Sequence, residues 1–399
     1  MVQASSQLRA RPPVGIIAPN LHTLLAGEKE GYGGAELDMR HITECLLAQG
    51  WHPVILTQTL AAQPLSEWCG VPVRVIRPRP AGRRRSRLRP VALLADMLYI
   101  VRFCLALLRL PGPVWITKLA GLQSLLTMIV GRLRGIPVVF RFGHDDETNP
   151  DHVAQVCFHG QARLAEEFLR RLPQCAAVLA QTYQQAELAR TRLGLQTRVI
   201  PNAHPVAALT IIPPEYRTNL LWVGRADPIK RPGLLLDALD QLPPIPTRMI
   251  MPPSGLNTDL AATIAQQATL FPNLTLVPGL SHAQVQREFA QARLFLLTSS
   301  GEGLPNVLLE ALKYGTPVLS MVVNPDHILR NGLPDPRGTP APGWCVGDDP
   351  AAFIKAIRIL HYHPTLLAAS SRAARQLALE RFDLAAVGQQ YDQLLCELC

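Results

Sequence analysis

The sequence predicts an α/β protein built from two doubly wound domains, and three observations lead there. Short apolar segments such as "PVGIIAPN", "HPVILTQ" and "IPVVFRFG" alternate with longer stretches whose apolar positions recur at helical spacing. That is the pattern of a mostly parallel sheet covered on both faces. The alternation breaks at "VIPNAHPVAALTIIPP", where four prolines within residues 201–214 oppose continuous helix, and then restarts. With 399 residues, 48% hydrophobic and 17% charged, the chain is long enough for two cores of ordinary size.

In the first half, "PVGIIAPN" reads as a strand followed by the glycine-rich turn "GEKEGYGGAE". "AELDMRHITECLLAQG" is the next helix, with Gly50 offered as its C-cap. "HPVILTQ", "VPVRVIRP", "PVWITK", "IPVVFRFG" and "CAAVLAQT" supply further strands, and "LAGLQSLLTMIVGRLRG" is helical between two of them. The second half opens on the strand "LLWVG" and the helix "PGLLLDALDQL", with Pro232 near the first turn, where a missing N–H costs little. "TRMIMPPSG" and "NLTLVPG" read as strands around the helix "LNTDLAATIAQQATL". "SHAQVQREFAQA" begins with Ser281 and Gln284 in capping-box spacing. "RLFLLTSS" and "TPVLSMV" bracket "GEGLPNVLLEALKYG", and the remainder is helical. The expected division is residues 1–203, residues 204–375 and a terminal helix over 376–399, with ligand bound at the carboxyl ends of the strands.

The formal charge of +9 is partly local: "RPRPAGRRRSRLRP" (residues 77–90) holds seven arginines and no acid. Such a block attracts anionic lipid, nucleic acid or an anionic substrate, or is simply a solvated loop. The stretch that follows, "VALLADMLYIVRFCLALLRLPGPVW", is strongly apolar but interrupted by Asp96, Arg102 and Arg109. It reads as an interfacial or core helix and not as a span. Arg83–Arg89 together with that helix would hold the protein on an anionic membrane surface, while no recognition motif supports nucleic acid as the main partner. No secretory signal opens the chain, so the expected location is cytoplasmic, at most peripheral on that face of a membrane. Cys396 and Cys399 form a C-x-x-C pair that no second pair or nearby histidine completes as a zinc site.

The segment 301–320 places two glutamates eight positions apart. The strand before it should bring Ser299–Gly303 to its carboxyl end, with Gly301 and Gly303 allowing close backbone approach. Pro305 suits the first turn of a helix over residues 305–314, whose N-terminal amides and dipole would favour a diphosphate. Glu302 beside that anion site is better placed for the neutral hydroxyls of a sugar. Glu310 lies roughly 7.5 Å further along the helix axis. Its apolar neighbours Leu308, Leu309 and Ala311 leave it needing a partner, which two adjacent ribose hydroxyls would supply. A glycosidase pair fits poorly, since eight residues of helical rise separate carboxylates by about 12 Å, beyond the roughly 5–9.5 Å such enzymes use. In "LLWVGRADPIKRPG", Arg225 and Lys230 follow a strand and could meet a diphosphate, one as a fork and the other as a point charge. No G-x-x-x-x-G-K-[ST] is present, which argues against a P-loop triphosphatase.

These stretches resemble glycosyltransferase family 4, the retaining family that uses nucleotide-sugar donors on two facing Rossmann-like domains, the GT-B architecture. "EGLPNVLLEALKYGTPVL" resembles its E-x7-E signature, "VGRADPIKRPGLLLDAL" its phosphate-binding stretch and "GYGGAE" its N-terminal glycine loop. "VIPNAHP" resembles the crossing between domains, and "RFDLAAVGQQYDQLL" the final helix that packs back on the first. The resemblance spans nearly the full chain and is looser over residues 60–200, where acceptors are usually recognised.

The resemblance implies that Arg225 and Lys230 neutralise the donor diphosphate and that Glu302 holds sugar hydroxyls. Gly303, Leu304, Pro305 and Asn306 would lie near sugar and phosphate, and Glu310 would hold the ribose. The backbone of Val277–Gly279 would border the base, while Gly33 and Gly34 close over the donor. His144 in "VVFRFGHDDE" resembles the family's histidine near the donor sugar, although Asp145 and Asp146 follow it in place of the commoner short turn, which leaves a metal as an alternative. The family usually needs no metal or other cofactor. The implied reaction is same-face substitution with retention, moving a sugar from a nucleotide-diphosphate sugar to a glycan or lipid-linked acceptor, as in cell-surface polysaccharide or glycolipid synthesis. The rivals are a nucleotide-sugar epimerase of the same fold and a non-catalytic nucleotide-sugar-binding scaffold.

Overall fold

Two sheets organise the chain. The computed structural model describes residues 11–27, 33–78, 89–252 and 257–399. The chain divides into two compact units, one of Met1–Ala203 with Val387–Cys399 and another of His204–Ala386. The second unit therefore runs past residue 375. Asp383 ties that extension down: its Oδ1 accepts from the amides of Val206 and Ala207 at 2.9 and 2.8 Å, and His204 bridges to Asp383.

In the first unit the strands are β1 (Pro13–Ile17), β2 (His52–Gln58), β3 (Glu67–Trp68), β4 (Val71–Ile76), β5 (Val114–Lys118), β6 (Val138–Arg141), β7 (Ala177–Ala180) and β8 (Arg198–Val199). Their order is β3-β4-β2-β1-β5-β6-β7-β8, parallel throughout except for the short antiparallel β3–β4 pair. The short edge strands β3 and β8 were not foreseen, because two residues give no readable periodicity. The chain builds outward from β1 in one direction and then from β5 in the other, so β1 and β5 flank a switch point. β5 and β6 are buried along their whole length, as strands covered on both faces must be.

The helix Gly34–Ala48 packs on this sheet and ends ahead of Gly50, whose φ of +77° is the left-handed geometry expected of a C-terminal glycine. The apolar stretch after the arginine block forms the helix Arg89–Leu108, and its Tyr99, Phe103 and Leu107 join Trp115, Phe140 and Phe168 in the core. Among the described residues no helix is long and apolar enough to cross a membrane. Residues 79–88, and with them most of the Arg83–Arg89 block, lie outside the described residues, as do residues 28–32 of the glycine-rich turn.

The second unit repeats the plan with β9 (Asn219–Val223), β10 (Thr247–Ile250), β11 (Leu274–Val277), β12 (Ala292–Leu297), β13 (Val318–Ser320), β14 (Arg330–Asn331) and β15 (Gly343–Cys345). The order β11-β10-β9-β12-β13-β15-β14 is wholly parallel, so every strand ends at the same edge, and the switch point lies between β9 and β12. Side chains alternate between two cores. Leu220 and Trp222 join Met249, Trp344 and Phe353 on one face, while Leu221 joins Ile250, Phe295 and Leu309 on the other.

Ser281 and Gln284 form the capping box read from the sequence, with Ser281 N–H donating to Gln284 Oε1 at 2.9 Å. The helix after Gly303 starts one residue later than expected. Pro305 is its N-cap in extended conformation (φ −65°, ψ 128°), and the helix is Asn306–Lys313.

Candidate active site

The loops that leave β9 and β12 are stitched together before any ligand is considered. Thr298 Oγ1, just beyond β12, donates to Lys230 O at 2.6 Å and accepts from Trp222 Nε1 at 2.9 Å. Arg231 Nε donates to Thr298 O at 2.7 Å, and Ser300 N–H donates to Ile229 O at 2.9 Å. Arg231 adopts φ +46°, an unusual backbone for a long side chain, and its guanidinium also pairs with Asp348. Gly224 is required for a local reason: a Cβ there would come 2.9 Å from the Trp222 ring, which must stay in place to reach Thr298.

This frame brings Lys230 and Glu302 together. Lys230 Nζ donates to Glu302 Oε2 at 2.7 Å, and both side chains are mostly but not fully buried. Glu302 Oε1 is enclosed and has no hydrogen-bond partner among the described residues. A carboxylate with one oxygen neutralised and the other bare is an acceptor waiting for a donor. Arg225 stands exposed at the start of the same loop, and Asp227 Oδ1 accepts from Ile229 N–H at 3.0 Å, shaping the turn that presents Lys230.

Gly303, Leu304 and Pro305 are buried and lead into the helix Asn306–Lys313. Leu308 N–H and Leu309 N–H both reach Pro305 O, while the amides of Asn306 and Val307 ahead of them have no intrahelical carbonyl to use. Asn306 Oδ1 lies 3.1 Å from Nε2 of the buried His204. Gly301 is in open space, where an added Cβ would touch nothing within 4 Å. Gly279 follows β11 with φ +152° and is exposed at the same sheet edge.

Glu310 is buried, as its apolar neighbours required, but its partner is within the protein. Gln286 Nε2 donates to Glu310 Oε1 at 2.6 Å, and His282 Nδ1 lies 3.9 Å from the same oxygen. Burial raises the Glu310 carboxyl above its ordinary range, with Lys313 and the Gln286 hydrogen bond pulling the other way. Glu310 therefore has a partner in Gln286 whether or not ribose hydroxyls also reach it. Gln286 sits four residues into the capped helix His282–Gln291, and no spacing within the sequence links it to a residue 24 positions away.

In the first unit, His144 caps the short turn Asp145–Thr148: its Nδ1 accepts from Asp146 N–H at 3.2 Å and lies 3.2 Å from Asp146 Oδ2. The Asp145 carboxylate turns away and accepts from Gln185 Nε2 at 2.9 Å. Glu147 is buried and accepts from the amides of Gly143 and Ala120, at 2.8 and 3.2 Å, while burial holds its carboxyl above the ordinary range. The two aspartates therefore have separate partners, and among the described residues no group of three His, Cys, Asp or Glu side chains is arranged to hold a metal ion.

At the switch point between β1 and β5 a pocket is lined by Ile17, Asn20, Glu36, Lys118, Gln123 and Ser124, among others. Gly33 is the N-cap of the helix Gly34–Ala48, and its N–H donates to Glu36 Oε2 at 2.8 Å. Beneath this pocket lies an ionic cluster the sequence reading missed. Asp38 Oδ2 accepts from Lys118 Nζ at 2.5 Å and Arg141 Nε at 2.8 Å, and Arg141 continues to Ile200 O and Asn202 Oδ1. Its signal was a cation ending each of two apolar strands, "PVWITK" and "PVVFR", and Asp38 set between Leu37 and Met39 in a helix.

Residues 217–362 match the model of the family described as Glycosyl transferases group 1. A D-inositol 3-phosphate glycosyltransferase of Streptomyces avermitilis is 30% identical over 203 residues, 48% of this chain and 38% of the relative, so the chain spans well under half the length of the curated relatives it matches. Sucrose-phosphate synthase from Thermosynechococcus elongatus superposes with a TM-score of 0.74 at 20% identity, covering 97% of this chain and 99% of that one. An Anabaena protein solved in complex with UDP and glucose gives 0.70 at 17% identity, covering 97% and 100%. The family match is thus confined to residues 217–362 of the second unit, while the chain as a whole has the GT-B fold of its solved neighbours.

Proposed function

We propose that this protein is a retaining glycosyltransferase of family 4 that moves a hexosyl group from a nucleotide-diphosphate sugar to a hydroxyl of a glycan or lipid-linked acceptor. Its setting would be cell-surface polysaccharide or glycolipid synthesis, peripheral to the cytoplasmic face of a membrane. The observation that carries this reading is the Lys230–Glu302 pair at the second switch point, with one bare carboxylate oxygen and a helix N-terminus three residues further on.

Each part has a chemical task. Lys230 and Arg225 meet the diphosphate, and the amides at Asn306 and Val307 favour the same charge. Glu302 Oε1 accepts from a donor-sugar hydroxyl while Oε2 stays engaged by Lys230. Glu310 offers the ribose the acceptor capacity that Gln286 leaves over. Gly279 and its neighbours border the base through backbone groups. In the first unit, His144, Gly33 and Gly34 serve the donor sugar, and the pocket containing Glu36, Lys118 and Gln123 takes the acceptor.

In same-face substitution the acceptor hydroxyl approaches the anomeric carbon from the side on which the diphosphate departs. The leaving phosphate can take the hydroxyl proton, so no protein base is required. Catalysis then rests on stabilising the negative charge that grows on the departing phosphate, which Lys230 and Arg225 supply. That the Anabaena neighbour was solved with UDP and glucose supports a uridine donor as the first to try.

The test is binding and slow hydrolysis across UDP-, GDP- and ADP-sugars without added metal, with the anomer of the first-formed product read by NMR. Selective turnover with retained configuration is expected. Failure of every nucleotide-sugar to bind, or an inverted product, would overturn the reading.

A further inference from the structure

The helix Arg89–Leu108 is apolar on two faces. Tyr99, Phe103 and Leu107 are at most 3% exposed, yet Leu94, Met97, Leu98, Val101, Leu105 and Leu108 are 44–58% exposed. At about 100° of rotation per residue, those six side chains fall within an arc of about 100° on the side opposite the core. The stripe runs 14 positions from Leu94 to Leu108, roughly 21 Å. Exposed apolar residues scattered singly need no explanation, whereas six in one unbroken stripe do.

The charges around the stripe say what covers it. Arg102 and Arg109 are exposed along one flank, and the helix's sole acid, Asp96, lies about 150° around from the stripe's centre by the same rotation. The sequence that leads into the helix carries the seven arginines of residues 77–90. A second copy of this chain would bring the same cations to the contact and no acid to meet them. An anionic lipid leaflet offers both an apolar layer for the stripe and negative headgroups for the arginines.

We propose that the exposed face of Arg89–Leu108 is a membrane-docking surface, lying in the plane of an anionic leaflet with its apolar stripe among the acyl chains and Arg102 and Arg109 at the headgroups. Docking of this kind brings the enzyme to where a lipid-linked acceptor lies, and in that respect rests on the glycosyltransferase reading.

The experiment is co-sedimentation of the full chain with vesicles of phosphatidylcholine and phosphatidylglycerol (70:30) and of phosphatidylcholine alone. The wild type should partition onto the anionic vesicles and much less onto the neutral ones. Val101→Ser/Leu105→Ser, at exposed positions, should lower partitioning by about tenfold or more. Arg102→Gln/Arg109→Gln should lower it by a similar factor and flatten its salt dependence. Circular dichroism and thermal melts verify that both variants fold, and nucleotide-sugar hydrolysis without vesicles should be the same in all three proteins. Absent vesicle binding, binding indifferent to Val101 and Leu105, or a wild-type dimer that the serine variant abolishes would each overturn the docking surface. Loss of nucleotide-sugar turnover from the wild type itself would instead overturn the glycosyltransferase reading and leave the vesicle result standing.

Discussion

Lys230 Nζ and Glu302 Oε2 stand 2.7 Å apart although 72 positions separate them, because the loops after β9 and β12 are tied to each other through Thr298, Arg231 and Ser300. The pair is held in place by backbone and hydroxyl contacts independent of its own charges. Replacing either member should therefore leave the frame standing. Lys230→Ala and Glu302→Gln should each lower kcat for sugar transfer by about 10²–10³-fold. Stability should change by no more than about 1 kcal/mol, as for other incompletely buried pairs. Steady-state kinetics beside urea melts make the comparison. Normal turnover in a weakened fold would mean that the pair serves structure alone.

Glu310 gives a different signature, because it is buried and shares a hydrogen bond with Gln286. Glu310→Ala should raise the donor Kd by about 10–100-fold if Glu310 holds the ribose as proposed, and should also cost about 1–3 kcal/mol by stranding Gln286 Nε2. Glu310→Gln should recover most of the stability but not the affinity. The pH dependence has a definite sign. Burial raises the folded-state carboxyl above its unfolded value, so its contribution to stability is full below about pH 4.5 and is lost as pH rises through the raised value. Stability curves of wild type and Glu310→Gln across pH 4–8 should diverge in that direction. Parallel curves would show that Glu310 does not titrate there.

How much of this was legible beforehand depended on the range of the interaction. β1, β2, β9 and β12 could be read because each is an apolar run between turn residues, and the Ser281–Gln284 box because its two halves lie three residues apart. Lys230 and Glu302 could be named as candidates from their positions after strands, but their direct pairing could not. Gln286 against Glu310 and Asp38 between Lys118 and Arg141 were unreadable for the same physical reason. A buried charge announces that it needs a partner, while the partner's identity depends on which strand ends the fold brings side by side. Pro305 shows the finer limit: its fixed φ suits a first helical residue and an N-cap alike, and its ψ of 128° decides for the cap.

His144 is half-exposed and its ring already accepts the Asp146 amide through Nδ1. In the neutral ring that contact leaves the proton on Nε2, so Nε2–H is the group available to a donor sugar. His144→Ala should lower kcat by about 10–100-fold while costing about 1 kcal/mol for the lost cap. Asp146→Ala keeps the backbone amide and should retain most of the activity. An equal loss in both variants would shift the role from the imidazole to the Asp146 carboxylate.

Asp38, Lys118 and Arg141 test the foundation of the first unit. Two cations meet one carboxylate in a place where all three side chains are at most 4% exposed. Burial alone would raise the Asp38 carboxyl, but Arg141 and Lys118 outweigh it and hold the group below its ordinary value. Asp38→Asn leaves two buried cations without a counter-ion and should cost about 3–5 kcal/mol. Lys118→Met removes the surplus cation, leaves a balanced Asp38–Arg141 pair and should cost clearly less. Asp38 has its folded value depressed, so its stabilisation is present above about pH 4 and is lost as pH falls through that depressed value. Urea melts of both variants from pH 3 to 7 should therefore show the wild type losing ground on Asp38→Asn only at the acid end. A Lys118→Met variant less stable than Asp38→Asn would show that Lys118 is held by more than Asp38, with the buried Glu147 as the group to examine next.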